Sequence, residues 1–334
     1  MQRMQYRKVW IFTGAHNKNC KNENAGGDAS GIPEKEGVHM GANIYKNKKP
    51  LLLFLLPAFA FMIVYLYYPF FKNIFDSFMQ VKELGISGEV WNDPWYSNYV
   101  KLVQDKNIWT SLKNTVIMTL VTIVGQVGIA LVLALMVDNI RRGAKIFRTM
   151  YFFPIVVSAT ALGLLFNLIF LYDKGMLNQI LSALGKEGLT DWKEEKLALF
   201  TMMLPVMWQY VGFYFVIIVT GLNNISEELY EAAAIDGATK LKRIRYLTVP
   251  LLHNVLCTCV VLAVTGALKV FDLPWTMFPK GMPLKSTFLT GTYMYYQTMI
   301  VKDIDYGAAI AVMIVILGVI LSKAVNTIFK EKDY

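Results

Sequence analysis

The chain has 334 residues, of which 55% are hydrophobic and 17% charged, and a formal net charge of +9. Soluble domains carry about a quarter of their residues as charges, so the deficit argues against a fold surrounded by water. The positive charge is spread over several short segments and gathers on no soluble domain, which excludes an evident nucleic-acid-binding patch.

In chain order, residues 1–48 hold Gly, Asn, Lys and Glu without apolar periodicity and read as a disordered cytoplasmic tail. Their start lacks the apolar core of a signal peptide. Residues 49–330 read as one membrane domain. A crossing helix needs roughly 20 apolar residues, so windows free of charge locate the spans. Six such windows lie between Lys49 and Lys72, Lys113 and Asp138, Arg148 and Asp173, Lys196 and Glu227, Arg245 and Lys269, and Asp305 and Lys323. They predict an all-α polytopic fold with transmembrane helices at 50–71, 114–137, 149–171, 198–221, 251–271 and 305–326. After the first span, Trp91, Trp95, Tyr96, Tyr99 and Trp109 fit either a membrane-interface belt or a packed extracellular cap. Asp173-Lys174-Gly175 and Gly185 mark turns in a polar loop over 172–196. A further window between Lys285 and Lys302 is rich in Ser, Thr, Tyr and Gln and reads as interfacial or cavity-lining.

Loops rich in Lys and Arg stay cytoplasmic. Lys46, Lys48 and Lys49 precede the first span, and Arg141, Arg142, Lys145 and Arg148 follow the second. Lys240, Lys242, Arg243 and Arg245 follow the fourth, and Lys323, Lys330 and Lys332 mark the C-terminal end. Both termini are therefore expected on the cytoplasmic side of a plasma membrane. Cys257 and Cys259, two apart on one helix, point to different faces and suit neither a zinc site nor a disulfide.

The segment 223–250 reads NNISEELYEAAAIDGATKLKRIRYLTVP. Ser226 is the expected N-cap, with Glu227 and Glu228 beside the positive end of the helix dipole. Leu229, Ala232 and Ala233 share a face, and small alanines let another surface approach closely. Asp236-Gly237 ends this helix. A second, over 239–247, puts Leu241, Ile244 and Leu247 on one side, and Pro250 opens the fifth span, where its missing N–H costs nothing. On these residues alone, a docking protrusion and an ordinary amphipathic loop fit equally.

Glu231-Ala232-Ala233, Asp236-Gly237-Ala238 and Val249-Pro250, at this spacing, resemble the EAA motif of ABC importer permeases. The resemblance runs from about residue 50 to the end. It takes in Asn98-Tyr99-Val100, Asn114-Thr115, Gly175-Met176-Leu177-Asn178, Phe271-Asp272-Leu273 and Tyr306-Gly307-Ala308-Ala309. It is similar to the carbohydrate-uptake branch, first-permease (MalF/UgpA-like) type. What this implies is a type I importer permease whose loop contains a coupling helix docking on a cytoplasmic ATPase. Glu231, Ala232, Ala233, Asp236, Gly237, Ala238 and Pro250 are the coupling residues it assigns. Its implied partners are a second permease, two ATPase subunits holding ATP and Mg, an extracellular solute-binding protein and the lipid bilayer. Gly281-Met282-Pro283 departs from the family's Gly-Gly-Pro turn, and a Met needs different backbone angles from a Gly. No G-x-x-x-x-G-K-[ST] loop is present, since Gly185-Lys186 is followed by Glu187. The chain is therefore expected to hold no nucleotide or other cofactor and to catalyse nothing itself.

Polar groups inside spans invite functional readings, although helix–helix hydrogen bonding is their commoner use. Trp208, Gln209, Tyr210 and Tyr214 on the fourth span, with Thr265 and Lys269 on the fifth, are the candidate solute path. Gln126 and Asn167 are further candidates. A secondary transporter would need ionisable groups within its spans, which are nearly absent here, and an embedded enzyme would need clustered His, Asp or Glu. An ABC permease for a solute other than a sugar stays open.

Overall fold

In a computed structural model of the chain, residues 48–81, 90–138 and 144–328 are described. Residues 1–47 of the tail expected over 1–48, and the basic residues Arg141, Arg142, Lys330 and Lys332, lie outside them, whereas Lys48 opens a helix. The chain divides into two compact units, Met1–Phe59 and Ala60–Tyr334. The described end of the first unit belongs to the helix Lys48–Met62, where Leu51, Leu52, Leu53 and Phe54 are exposed.

Among the described residues the elements are helical apart from one isolated bridge, Met79 with Trp91. The spans are α1 (Leu51–Asp76), α3 (Lys106–Val137), α7 (Glu195–Asn223), α10 (His253–Lys269) and α13 (Ile304–Ile328). Between α1 and α3 lies α2 (Ser97–Gln104). The third window is not the straight helix expected at 149–171. It forms α4 (Ala144–Val156) and α5 (Ala159–Ile169), whose apolar parts are bent by 93°. Pro154 lacks the N–H that would continue α4, and Ser158 leaves helical geometry at φ −54°, ψ 133°. Gln209 of α7 is buried and donates to the Val157 carbonyl at 3.3 Å, so the break exposes no unmet acceptor there. The shorter elements are α6 (Met176–Ala183), α8 (Glu227–Ile235), α9 (Lys240–Arg243), α11 (Asp272–Met277) and α12 (Thr290–Tyr295).

The second unit is organised around α7, whose apolar window is 61% buried against 17% for α13. It packs on α4 and on the C-terminal half of α3; α10 packs on the middle of α3 and on α13. The closest approach is at Gly212, where a Cβ would fall 1.7 Å from the Tyr151 carbonyl oxygen of α4. One buried cluster, with Phe215, Ile218, Leu222 and Leu252, lies toward the 223–250 loop. Another, with Met118, Met202, Leu273 and Met277, lies toward the opposite end. Outward side chains such as Val124, Val132, Phe153, Leu168 and Ile316 are exposed. A surface this apolar suits hydrocarbon and not water.

The end opposite the loop is closed by polar staples. α3 starts eight residues before the expected 114, because the Asp105 carboxylate caps it, accepting from the Asn107 N–H at 2.9 Å. That carboxylate also accepts from the hydroxyls of Tyr293 and, at 2.8 Å, Tyr306. Partial burial pushes its pKa up, but the bonds from Tyr293, Asn107 and Tyr306 outweigh this and hold it below the ordinary carboxylate value. Asn98 donates to the Ser77 carbonyl and to Asp305; Asn114 donates to the carbonyls of Ser286 and Phe288. Asn178 ties the loop after α5 by donating to the Tyr172 and Thr190 carbonyls and accepting from the Trp192 indole at 3.0 Å. Asn98, Asn114, Asn178 and Tyr306 thus hold this end together. In the aromatic stretch Trp91, Trp95 and Trp109 are exposed, while Tyr99 packs on Phe78 at 5.2 Å and bonds Ser77. In the 281–283 turn, Gly281 takes the left-handed φ of 69°, and Met282 sits at φ −62°, ψ 152°. Those angles suit any residue, so the departure from Gly-Gly-Pro does not disturb the backbone.

Candidate functional site

Two features stand out, the 223–250 loop and a cavity between three spans. In the loop, α8 carries Glu227 and Glu228 in its first turn. Ser226 occupies the N-cap with extended backbone, but its hydroxyl makes no capping bond. The C-terminus closes as a Schellman turn: the Gly237 N–H donates to Ala234 at 3.1 Å and the Ala238 N–H to Ala233 at 2.9 Å. Gly237 has φ +76°, and an added Cβ would meet nothing within 4 Å. Glycine serves here for its backbone freedom and not for space. From Thr239 the chain resumes as α9, widens into a π-helical turn at Ile244–Thr248 and enters Val249–Leu251, with Pro250 in the first turn. The Tyr230 hydroxyl lies 3.1 Å from the Thr248 Oγ1, tying α8 to this connection.

No residue of α8 is buried. Glu231, Ala232 and Asp236 are exposed, and Ala233 and Ala238 are half-buried. Of the apolar side expected on the second segment, Ile244 and Leu247 are half-buried, whereas Leu241 is 75% exposed. Ile235 and Tyr246 are exposed as well. The loop therefore carries apolar tips and small residues on its outer surface.

The cavity lies between α3, α7 and α10 and has a volume of about 350 Å³, within the size range of small-molecule sites. Four candidate path residues line it, Tyr210, Tyr214, Thr265 and Lys269. Gln126 and Thr122 face them from α3, on a stretch, Thr122–Gly128, that winds as a π-helix. Such bulges recur at functional sites. Gln126 also donates to the Val206 carbonyl at 3.0 Å, which fixes its amide at the cavity wall. Thr265 donates back to its own helix, leaving its oxygen as an acceptor. Neither Tyr210 nor Tyr214 has a hydrogen-bond partner among the described residues, so both hydroxyls are available to a ligand. The remaining candidates are placed elsewhere. Trp208 is 45% exposed with its ring edge-on to Phe166, and Gln209 serves the α4–α5 break. Asn167 donates to the Thr276 carbonyl and accepts from Lys193 at 2.7 Å, outside this cavity. Thr122 and Phe213 line the cavity without having been singled out in the sequence; Thr122, one turn before Gln126, is the only one with a polar signal. Among the described residues no group of three or more His, Cys, Asp or Glu comes together.

Apolar spans around a cavity with a few polar groups in a mostly apolar wall, and a helical loop projecting at one end, describe a multi-pass membrane protein. The chain belongs to the family described as binding-protein-dependent transport system inner membrane component, which matches residues 126–332. It is similar to the probable ABC transporter permease protein YurN of Bacillus subtilis, at 32% identity over 291 residues, 86% of this chain and 98% of that protein. It is also similar to the lactose transport system permease protein LacF of Rhizobium radiobacter, at 31% identity over 287 residues, 81% of this chain and 90% of that protein. Among solved structures, a bacterial ABC transporter involved in the import of the acidic polysaccharide alginate shares the fold. Its TM-score is 0.75 at 19% identity, covering 86% of this chain and 98% of that one.

Proposed function

We propose that this chain is one of two different permease subunits of an ATP-driven importer that brings a sugar or related small solute into a bacterial cell. The observation that carries the reading is the α8 protrusion, which has no buried residue and is closed by the Gly237 turn. It is joined directly to α7 and, through Pro250, to α10, two of the three spans that line the cavity. A force on this loop reaches the solute path without a flexible intermediate. Of two ATPase subunits binding ATP and Mg, one docks on this loop from the cytoplasm, where both termini also lie. Glu231, Ala232, Ala233, Asp236, Gly237, Ala238 and Pro250 form or support the docking element. When the ATPases close on ATP, the loops are drawn together, α7 and α10 tilt, and the cavity opens outward to an extracellular binding protein carrying the solute. The second permease covers the open side of the cavity. Carbohydrate cargo is supported by the cavity's mix of aromatic faces and hydrogen-bonding groups, Tyr210, Tyr214, Gln126 and Thr265, and by the lactose relative. Gentle-detergent purification of the tagged chain, followed by mass spectrometry, tests the assembly. Recovery of a second permease and a Walker-motif ATPase is expected. A chain recovered alone, yet able to move solute, would restore the secondary-transporter reading.

A further inference from the structure

Among the described residues the cavity has one charged lining residue, Lys269, and no carboxylate. Among the described residues Lys269 forms no ion pair or hydrogen bond. A second pocket, of about 460 Å³, repeats the pattern: its one charged lining residue is Lys193. The two are linked through α11, because Lys269 and Val270 just before it line the first while its Thr276 and Met277 line the second. Among the described residues Lys193 has no carboxylate within ion-pair distance; its ammonium donates to the Asn167 amide oxygen at 2.7 Å. Burial pushes its pKa below the ordinary lysine value despite the attraction of Asp191. Among the described residues, Lys72 and Lys101 are the lysines with a carboxylate within ion-pair distance, Asp76 and Asp303. A neutral sugar needs no cation, whereas an exposed lysine at the edge of a mostly apolar cavity without a carboxylate favours an anionic ligand.

Resting on the import reading above, we propose that the cargo is an acidic carbohydrate of the uronate type, whose carboxylate pairs with Lys269 in the cavity and passes Lys193 beyond α11. The complete importer, with its binding protein, is placed in proteoliposomes loaded with ATP. Labelled disaccharides of galacturonate, glucuronate and mannuronate are offered beside their neutral counterparts. At least one uronate disaccharide is expected to enter with ATP, in preference to its neutral form. Lys269→Met reduces that uptake about tenfold or more, the scale of a lost charge-assisted hydrogen bond, while Lys269→Arg retains most of it. Lys193→Met raises the half-saturating concentration of the uronate and leaves assembly unchanged. Preferred uptake of the neutral sugars, or uronate uptake indifferent to Lys269→Met, overturns the inference and leaves the importer reading standing. An assembled, ATP-hydrolysing complex that moves none of these sugars overturns the inference and the carbohydrate cargo together.

Discussion

At the scale of single residues, Gly237 and Asp105 carry sharp expectations. The left-handed φ of Gly237 costs a side-chain-bearing residue about 1–2 kcal/mol, and space is open around it. Gly237→Val therefore distorts the end of α8 without disturbing the spans. In proteoliposomes it is expected to keep ATP hydrolysis and lose most coupled uptake; wild-type uptake would remove Gly237 from the coupling path. Asp105 is held in its charged form by three hydrogen-bond donors. Its folded pKa lies below its unfolded one, so its stabilisation is present at neutral pH and fades as pH falls through and below the ordinary carboxylate range. Thermal unfolding of the solubilised protein is expected to show this acid-side loss, and Asp105→Asn to be less stable at neutral pH with a flatter profile. Equal slopes for the two proteins would mean that the Tyr293 and Tyr306 contacts do not depend on the charge.

At the scale of elements, polar side chains decide where helices begin, break and rejoin. Asn178 meets two carbonyls and one indole N–H that the loop after α5 could not otherwise satisfy. Asn178→Ala is expected to cost about 2–4 kcal/mol, from lost bonds and a buried group left unmet. The cleavage rate of the 172–194 loop by added protease reads this out, and an unchanged rate would show the loop to be held by packing alone. Five spans were legible because each is a long run of Leu, Ile, Val, Phe, Met and Ala without a charge. The break between α4 and α5 was not, since Pro154 inside an apolar run is common in membrane helices. The donor that lets the chain bend at Val157, Gln209, comes from a helix far along the sequence.

At the scale of the whole molecule, function rests on surfaces that must meet other chains. Glu231 is exposed and makes no ion pair or hydrogen bond among the described residues. Glu231→Lys should therefore leave membrane level and melting temperature unchanged while reducing the ATPase recovered on co-purification. Full recovery would take Glu231 out of the docking face. The sequence by itself determined the class: charge-free windows, basic connections and the EAA spacing are local patterns, and each reports on one segment at a time. It also determined the end of α8, because only glycine takes that backbone cheaply. Which polar residues share a cavity was decided by tertiary structure alone. Trp208, Gln209, Tyr210 and Tyr214 lie within seven positions on one helix, yet only the two tyrosines turn toward Gln126 and Lys269. A helix fixes the spacing of its side chains around its axis, but its rotation in the bundle is set by contacts such as Gly212 against Tyr151, and those join residues distant in the chain.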